Sequence, residues 1–543
     1  MNNAIFLFDV PENEPILEYG PGSKEREQIT AELNRLSNEQ IEIPLIIGGK
    51  EIRTGKIAKV VMPHNHSKVL ATYHQATEKE VQLAIDEALK AKTMWENISW
   101  LERSSIMLRA AELISKKYRN LIVASTMLGQ DKSVYQAEID AACEVIDYLR
   151  YNVYFASQIY NEQPKSEFGQ FNRLEYRALE GFVFSVTPFN FTAIASNLNM
   201  AVALMGNTTV WKPASTSLLS SYYLMKIFQE AGLPDGVINF VPGSGSLIGS
   251  TVLKHKDLGG IHFTGSNATF NSLWRGVSEN LTNYVSYPKL VGETGGKDFI
   301  FVHNSSNALE VATAITRGAF EYQGQKCSAA SRSYIPKSLW KEVKQHLQNQ
   351  VSEIKVGDVA DLSNFMNAVI DEKSFDNIMR YIEIAKKSDD CEIITGGTGD
   401  KSVGYFIQPT VIHTTNPYST TMQEEIFGPV MTIYVYDDKD FEETLNICNN
   451  TSPYALTGAI FSNDKYAMTQ ACRILRYAAG NFYINDKPTG AMVGLQPFGG
   501  SRGSGTNDKA GGSLNLLRWI SPRTIKETFI PAQDFKYPYM QED

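Results

Sequence analysis

Cysteine is scarce and carries no pattern. The five thiols in 543 residues (Cys143, Cys327, Cys391, Cys448 and Cys472) show no metal-ligand spacing, and an odd number cannot close a complete disulfide framework. Free thiols in a reducing compartment are therefore expected. Basic residues are also in deficit. With 51 Lys and Arg against 60 Asp and Glu, the net charge is −9, which argues against nucleic acid as the main partner because phosphate binding needs a basic surface. An anionic small molecule is not excluded, since it needs only a local cation or aimed backbone amides. No apolar run has the length required to cross a bilayer, so no membrane partner is expected. The first eighteen residues, Met1 to Glu18, hold acids and no arginine, unlike a signal or transit peptide, and this sets a cytoplasmic expectation. Internal repeats and low-complexity segments are missing too.

What is present is ordinary for a globular enzyme, with 43% hydrophobic and 20% charged residues. The chain is too long for one hydrophobic core, so several domains are expected. Residues 1–40 read as a polar arm with one helix, Ser23 to Leu36. A hairpin follows around Gly48-Gly49, and a capping box at Thr77 and Glu80 opens a helix. Helical patterns then run through Trp100–Lys117, Leu121–Leu128 and Val134–Ile159. From Phe182 short apolar strands (Phe182–Val186, Thr208–Trp211, Val237–Val241, Ile261–Phe263) alternate with helical segments, the texture of a parallel sheet covered on both faces. A second alternation of this kind starts at Phe299 and ends near Asn485. The stretches Phe168–Leu179 and Arg518–Phe529 alternate differently and suit a two-stranded projection whose free edges invite a partner subunit. The expected organisation is an arm over 1–40, a Rossmann-like nucleotide-binding domain over 41–290 interrupted by the projection at 165–180, a second α/β domain over 291–490, and a return to the first domain with an oligomerisation strand over 491–543.

The chemistry centres on Phe320 to Ser331. A helix capped by Asn307 runs up to Gly324, which breaks it, and a strand around Ser333 to Ile335 follows. Cys327 thus lies in a tight helix-to-strand connection, where a scaffold presents a reactive side chain. A single cysteine is commonly just a small buried hydrophobe. Two further stretches favour a nucleophile. Glu293, ahead of Gly295-Gly296, is a carboxylate placed to act as a base for a thiol or for water, although a solvated loop glutamate is the commoner case. Asn190, after a strand and Pro188, offers an amide to a developing oxyanion, or simply occupies a turn. For a nucleotide, Gly243 and Gly245 open a helix, but with Gly249 their spacing is one residue longer than the dinucleotide fingerprint. Gly265 and Ser266 fit better, ending a strand and opening a helix whose free amides suit a pyrophosphate. Lys212 also ends a strand, where ribose hydroxyls would lie.

Taken together, these stretches resemble the aldehyde dehydrogenase superfamily from about residue 40 to the C-terminus. The runs around Glu293 and Cys327 are similar to its two active-site signatures, and Glu424 to Pro429 and Pro497 to Ser501 resemble two further motifs. The resemblance implies Cys327 as nucleophile, Glu293 as base and Asn190 as oxyanion donor. It implies NAD as cofactor, held by Thr187, Lys212, Ser215, Gly265, Ser266, Glu425 and Phe427. NADP stays open, because Ser215 stands where many NAD-specific members carry a ribose-binding glutamate. Within the superfamily the chain is most similar to the Δ1-pyrroline-5-carboxylate dehydrogenases, through Thr187 to Thr192, Lys326 to Ser328 and Thr489 to Gly494. That resemblance implies an α-carboxylate anchored by Gly490, Ala491 and Ser328, and an aliphatic substrate chain between Phe189 and Phe498. Ala491 stands where relatives often have serine, removing one hydroxyl contact. A homodimer or higher homo-oligomer is also implied. Three alternatives remain at this level: oxidation of another semialdehyde or aliphatic aldehyde, CoA-dependent acylation, and a non-catalytic binding protein on the same scaffold.

Overall fold

The computed structural model describes Phe6 and residues 8–542; the beginning of the arm, 1–5 and 7, and residue 543 lie outside the described residues. Two seven-stranded sheets organise the molecule. In the first, five parallel strands stand in the order Lys289–Glu293, Leu258–Thr264, Phe182–Val186, Thr209–Lys212, Ile238–Phe240. The antiparallel hairpin of Leu45–Ile47 and Lys50–Ile52 then closes the edge. The hairpin turns through Gly48 (φ 56°) and Gly49 (φ 76°), the left-handed pair that a two-residue turn matched to strand twist requires.

Burial alternates along these strands. Phe182 and Phe184 face one hydrophobic cluster, with Val81, Ile85 and Val252, while Val183 faces another, with Val145, Leu204 and Trp519. Both faces are therefore covered, which is why the strands read as continuous apolar runs. At about 1.5–3 kcal/mol for each fully buried Phe or Val side chain, these strands form the stable base on which their exposed ends can be polar.

The second sheet repeats the design, with strands Asp298–Val302 and Ala330–Pro336 at its centre. Ile300 and Val302 point to one core, Phe299 and Phe301 to the other. Its strands run from Asp298 to Ile484 and are parallel except for the edge strand Cys391–Thr395. The stretches expected to form a projection pair antiparallel over eight residues, from Ser521 opposite Arg177 to Thr528 opposite Gln170, and stand as a separate ribbon. Beyond it, Phe529 and Ile530 are exposed.

Helices depart from the pattern in three notable places, the first being the segment expected over Trp100–Lys117, which turns π-helical over Ile114–Tyr118. The segment expected as one helix over Val134–Ile159 contains a π-helical turn, Glu138–Glu144, between α-helical pieces. Such wide turns shift the register of side chains and recur at functional sites. The helix capped by Asn307, whose side chain accepts from the Leu309 and Glu310 amides, ends at Phe320 and not at Gly324. Tyr322, Gln323 and Gly324 then take left-handed conformations in succession (φ 53°, 54° and 65°). A Cβ on Gly324 would lie 2.2 Å from the Gly428 carbonyl, so only glycine fits there. The two non-glycine residues before it are strained and are held by neighbours described below.

Candidate active site

The carboxyl ends of the first sheet's strands meet the amino ends of the second sheet's strands at Cys327, which precedes the strand Ala330–Pro336. Glu293 is the last residue of the first sheet's edge strand, paired with Thr264. Directly after it the chain crosses to the second sheet through Gly295 and Gly296. A Cβ on Gly295 would lie 2.1 Å from Glu425, and one on Gly296 would lie 2.3 Å from the Cys327 carbonyl. The crossing is glycine because two backbones and a carboxylate converge there. Its amides are used: Gly296 N–H donates to Glu425 Oε1 at 2.9 Å. Asn190 follows the first sheet's central strand, is buried, and donates from Nδ2 to the Gln325 carbonyl at 3.1 Å. An amide nitrogen has two hydrogens, so one remains for a ligand.

The left-handed loop ahead of Cys327 is tied on both sides. Gln323 Nε2 donates to the carbonyls of Asp131 and Ala368, each at 2.8 Å, and Gln325 Oε1 accepts from Ile370 N–H at 2.9 Å. The Tyr322 ring lies under the Lys132 ammonium at 4.5 Å, and Lys132 is itself paired with Asp140 at 2.7 Å. The Asp131 carboxylate accepts from Ala368 N–H and pairs with His64. Strain at Tyr322 and Gln323 is thus offset by bonds to elements far away in sequence.

Burial dominates the electrostatics. Cys327 is 9% exposed, and its thiol is pushed well above its ordinary range by burial and by the Glu293, Asp298 and Glu425 carboxylates; the Ser328 amide opposes this. The Glu293 carboxyl rises to about 8 through burial, moderated by the Lys509 ammonium. Its Oε1 is enclosed without a hydrogen-bond partner, although the residue as a whole is half-buried. An orphaned carboxylate oxygen with a raised pKa beside a cysteine is what a general base awaiting a proton requires. Glu425 rises to about 7 through burial, against the Gly296 amide, and Lys297 falls to about 7 for the same reason.

A cavity of about 280 Å³ opens beside Cys327. Ser328, Thr489, Gly490, Ala491 and Phe498 line it, and the Ser328 and Thr489 hydroxyls share a hydrogen bond of 2.7 Å. One expectation is corrected here. Phe189 does not line this cavity; its ring packs edge-on against Phe427 at 5.8 Å. Phe191 lines it instead, together with Phe498. The helix Thr192–Leu204 begins directly after Phe191, and its first amides, Thr192 and Ala193, are anchored on Asp140. That turn swings the side chain of 191, not of 189, inward. Sequence reasoning also missed Glu144, whose carboxyl reaches the cavity from the π-helical turn and rises to about 8 through burial and the neighbouring Asp140. Helical periodicity assigned that stretch to core packing, and a π-turn leaves no simple mark in a sequence.

Thr187, Lys212 and Gly265 stand at the carboxyl ends of adjacent strands of the first sheet, whose edge strand ends at Glu293. Thr187 Oγ1 accepts from the Trp211 indole at 3.0 Å. Lys212 ends the neighbouring strand, with its ammonium lowered by burial, and Ser215 opens a short 3₁₀ turn just beyond. Gly265 follows the strand ending at Thr264, whose Oγ1 is buried without a partner. Ser266 caps the thirteen-residue helix Asn267–Glu279 by accepting from Thr269 N–H at 3.3 Å. An unpaired hydroxyl and the free amides of a long helix at a strand's carboxyl end suit a pyrophosphate. Glu425 and Phe427 approach from the second sheet, Phe427 with φ 57°.

Comparison with known proteins gives a consistent picture. Residues 51–525 match the aldehyde dehydrogenase family. A relative from Dictyostelium discoideum, a mitochondrial Δ1-pyrroline-5-carboxylate dehydrogenase, is 54% identical over 98% of this chain and 96% of its own. The mitochondrial Δ1-pyrroline-5-carboxylate dehydrogenase of Homo sapiens is 48% identical over 97% of this chain and 94% of its own. The crystal structure of the Mycobacterium tuberculosis Δ-pyrroline-5-carboxylate dehydrogenase with bound NAD superposes with a TM-score of 0.96 at 49% identity, covering all of both chains. The two eukaryotic names overturn the cytoplasmic expectation, which rested on the missing leader pattern in Met1 to Glu18. Lack of one address in a short stretch does not supply another. Among the described residues, no helix is long and apolar enough to cross a membrane.

Proposed function

The chain belongs to the aldehyde dehydrogenase family, and on that premise we propose that it oxidises L-glutamate γ-semialdehyde, the open form of Δ1-pyrroline-5-carboxylate, to L-glutamate with NAD, the second step of proline degradation. The observation that carries the substrate assignment is one cavity lined by Cys327, the Gly490–Ala491 loop, Phe191 and Phe498. Its polar groups suit a zwitterion and an aldehyde, and its aromatic rings suit the methylenes between them.

Cys327 gives up its thiol proton to solvent, and Sγ forms a bond to the aldehyde carbon as the carbonyl π bond breaks. The developing oxyanion is held by the second Nδ2 hydrogen of Asn190 and by the Cys327 backbone N–H, two donors fixed before the reaction begins. When bound, NAD would supply the acceptor for the hydride that leaves the Cys327 adduct, which then becomes a thioester. Glu293 then removes a proton from water as the water attacks the thioester carbon, and Cys327 leaves as glutamate forms. Thr187, Lys212, Ser215, Gly265, Ser266, Glu425 and Phe427 hold and orient the cofactor. Ser215 carries no charge to repel a 2′-phosphate, so NADP binds less well than NAD only through other contacts. Glu144 faces the cavity with a carboxyl that suits the substrate's ammonium, and Ser328 supports the carboxylate loop through Thr489. The ribbon of Gln170–Arg177 and Ser521–Thr528 is the contact through which two copies associate.

The test is the initial rate of NADH formation with pyrroline-5-carboxylate, succinic semialdehyde and propanal, for wild type and Cys327→Ala. A preference for pyrroline-5-carboxylate that vanishes in the variant is the expected result. Equal or faster turnover of the other aldehydes would overturn the substrate assignment while leaving the family chemistry intact.

A further inference from the structure

Residues 8–20 form neither helix nor strand, yet they are bound to the substrate cavity more tightly than a passive arm requires. Glu14 and Ile16 line the cavity itself. Glu14 is buried and its carboxylate meets Arg119 at 2.6 Å and Arg150 at 2.7 Å. Its backbone N–H donates to Asp147 at 2.7 Å, on the helix that follows the π-turn carrying Glu144. Beside it, Asn13 uses both ends of its amide. Nδ2 donates to Asp147 Oδ2 at 2.7 Å and to the Val493 carbonyl at 2.9 Å, and Oδ1 accepts from the Tyr151 hydroxyl at 3.2 Å. Val493 and Gly494 belong to the loop that carries Gly490 and Ala491. The Tyr151 ring packs so closely on Gly494 that a Cβ there would lie 2.1 Å from it.

We propose that Asn13 is a positioning residue for substrate selection: by fixing the Val493 carbonyl and the Tyr151 hydroxyl together, it aims the 489–494 loop amides at the substrate's α-carboxylate. The inference rests on the substrate reading above and adds the arm as a working wall of the site. The physical reason is geometric. Amide donors recognise a carboxylate only over a narrow range of distance and angle, and a loop that begins at an exposed glycine has little of its own to hold that aim. Thr489 is tied to Ser328 at the near end, but Gly490, with φ 97° and exposed, is a permissive joint beyond it, so the aim of the amides that follow is set with the loop's far end, where Asn13 sits. A part-buried hydrogen bond between an amide and a carbonyl is a fixed distance set from a segment about 480 residues away in sequence. Propanal has no carboxylate to aim at, so the arm should not matter to it.

The experiment is steady-state kinetics of the full chain with pyrroline-5-carboxylate and with propanal, for wild type, Asn13→Ala and Tyr151→Phe, each with a thermal melt. For Asn13→Ala the expected result is a KM for pyrroline-5-carboxylate raised about tenfold, the loss of roughly one such hydrogen bond, with kcat within about threefold. The kcat/KM for propanal should stay within about twofold, since chemistry at Cys327 is untouched. Tyr151→Phe keeps the ring on Gly494 and removes only the hydroxyl, so a KM rise of about threefold for the same substrate is expected, and it decides the matter if Asn13→Ala does not fold. Equal losses with both aldehydes, or no change of selectivity in a folded variant, would overturn the proposal. A wild type without preference for pyrroline-5-carboxylate would instead overturn the substrate reading, and this proposal with it.

Discussion

Cys327, Asn190 and Glu293 divide the chemistry between them, and the last two predict different kinetic signatures. Asn190→Ala removes an oxyanion donor and should lower kcat by ~10²–10³, about 3–4 kcal/mol of transition-state stabilisation, measured with saturating substrate. Turnover within a factor of two of wild type would sink that role. Glu293 has a carboxyl raised by burial to about 8, so it is protonated below that pH and a competent base above it. Thioester hydrolysis should therefore rise with pH through about 8 in wild type, and Glu293→Gln should be slow and nearly flat over the same range, read by single-turnover product release. The same shift has a sign for stability. The folded state favours the protonated carboxyl more than the unfolded chain does, so wild type loses stability as pH rises from the ordinary glutamate range through about 8. Glu293→Gln escapes that loss, and its melting temperature should gain on wild type at pH 9 but not at pH 5. No such divergence would mean that Glu293 is solvated in the folded protein.

At the scale of elements, the loop from Glu321 to Ser328 is the least self-sufficient part of the structure and the most informative. Gln323 bridges two buried carbonyls from a left-handed backbone. Gln323→Ala leaves both without partners, and a loss of about 2–4 kcal/mol is expected in chemical denaturation, with activity falling in step as Cys327 loses its aim. A variant as stable and active as wild type would show that the loop holds itself. The same loop marks where sequence reading reached and where it stopped. The parallel sheets were legible because doubly covered strands such as Phe182–Val186 are apolar at every position. Asn307 was legible as a cap because its side chain bonds locally. The early helix end at Phe320 was not, since Tyr322 and Gln323 have no intrinsic preference for φ > 0 and are held there by Asp131, Lys132 and Ala368. Motif matching found Cys327, Glu293 and Asn190 but chose Phe189 over Phe191, because which of two aromatics turns inward depends on Asp140 anchoring the next helix. Glu144 stayed hidden for a related reason, its direction being set by a π-turn.

For the whole molecule, the reacting atoms lie where the carboxyl ends of the first sheet's strands meet the amino ends of the second's, and the ribbon of Gln170–Arg177 and Ser521–Thr528 is a two-stranded sheet separate from both. Phe171 and Phe529, 46% and 62% exposed, place apolar surface on and just beyond it. Replacing both with Asp should shift the protein toward monomer in sedimentation velocity while leaving the melting transition of the sheets in place, because neither ring belongs to a core. An unchanged sedimentation coefficient would place the subunit contact elsewhere.

The crossing at Gly295-Gly296 has a consequence for how the protein is made. Glu293 bridges to Gly505, and the Gly292 carbonyl accepts from Thr506 N–H, so the base is seated by residues near the end of the chain. On a ribosome, Cys327 is synthesised well before those residues emerge. Until they do, Glu293 is not seated to activate water, and the carboxylate loop at 489–494 has not yet reached Asn13. Thioester hydrolysis by Glu293 is therefore available only after residues 505 and 506 have been made and docked on the Glu293 strand.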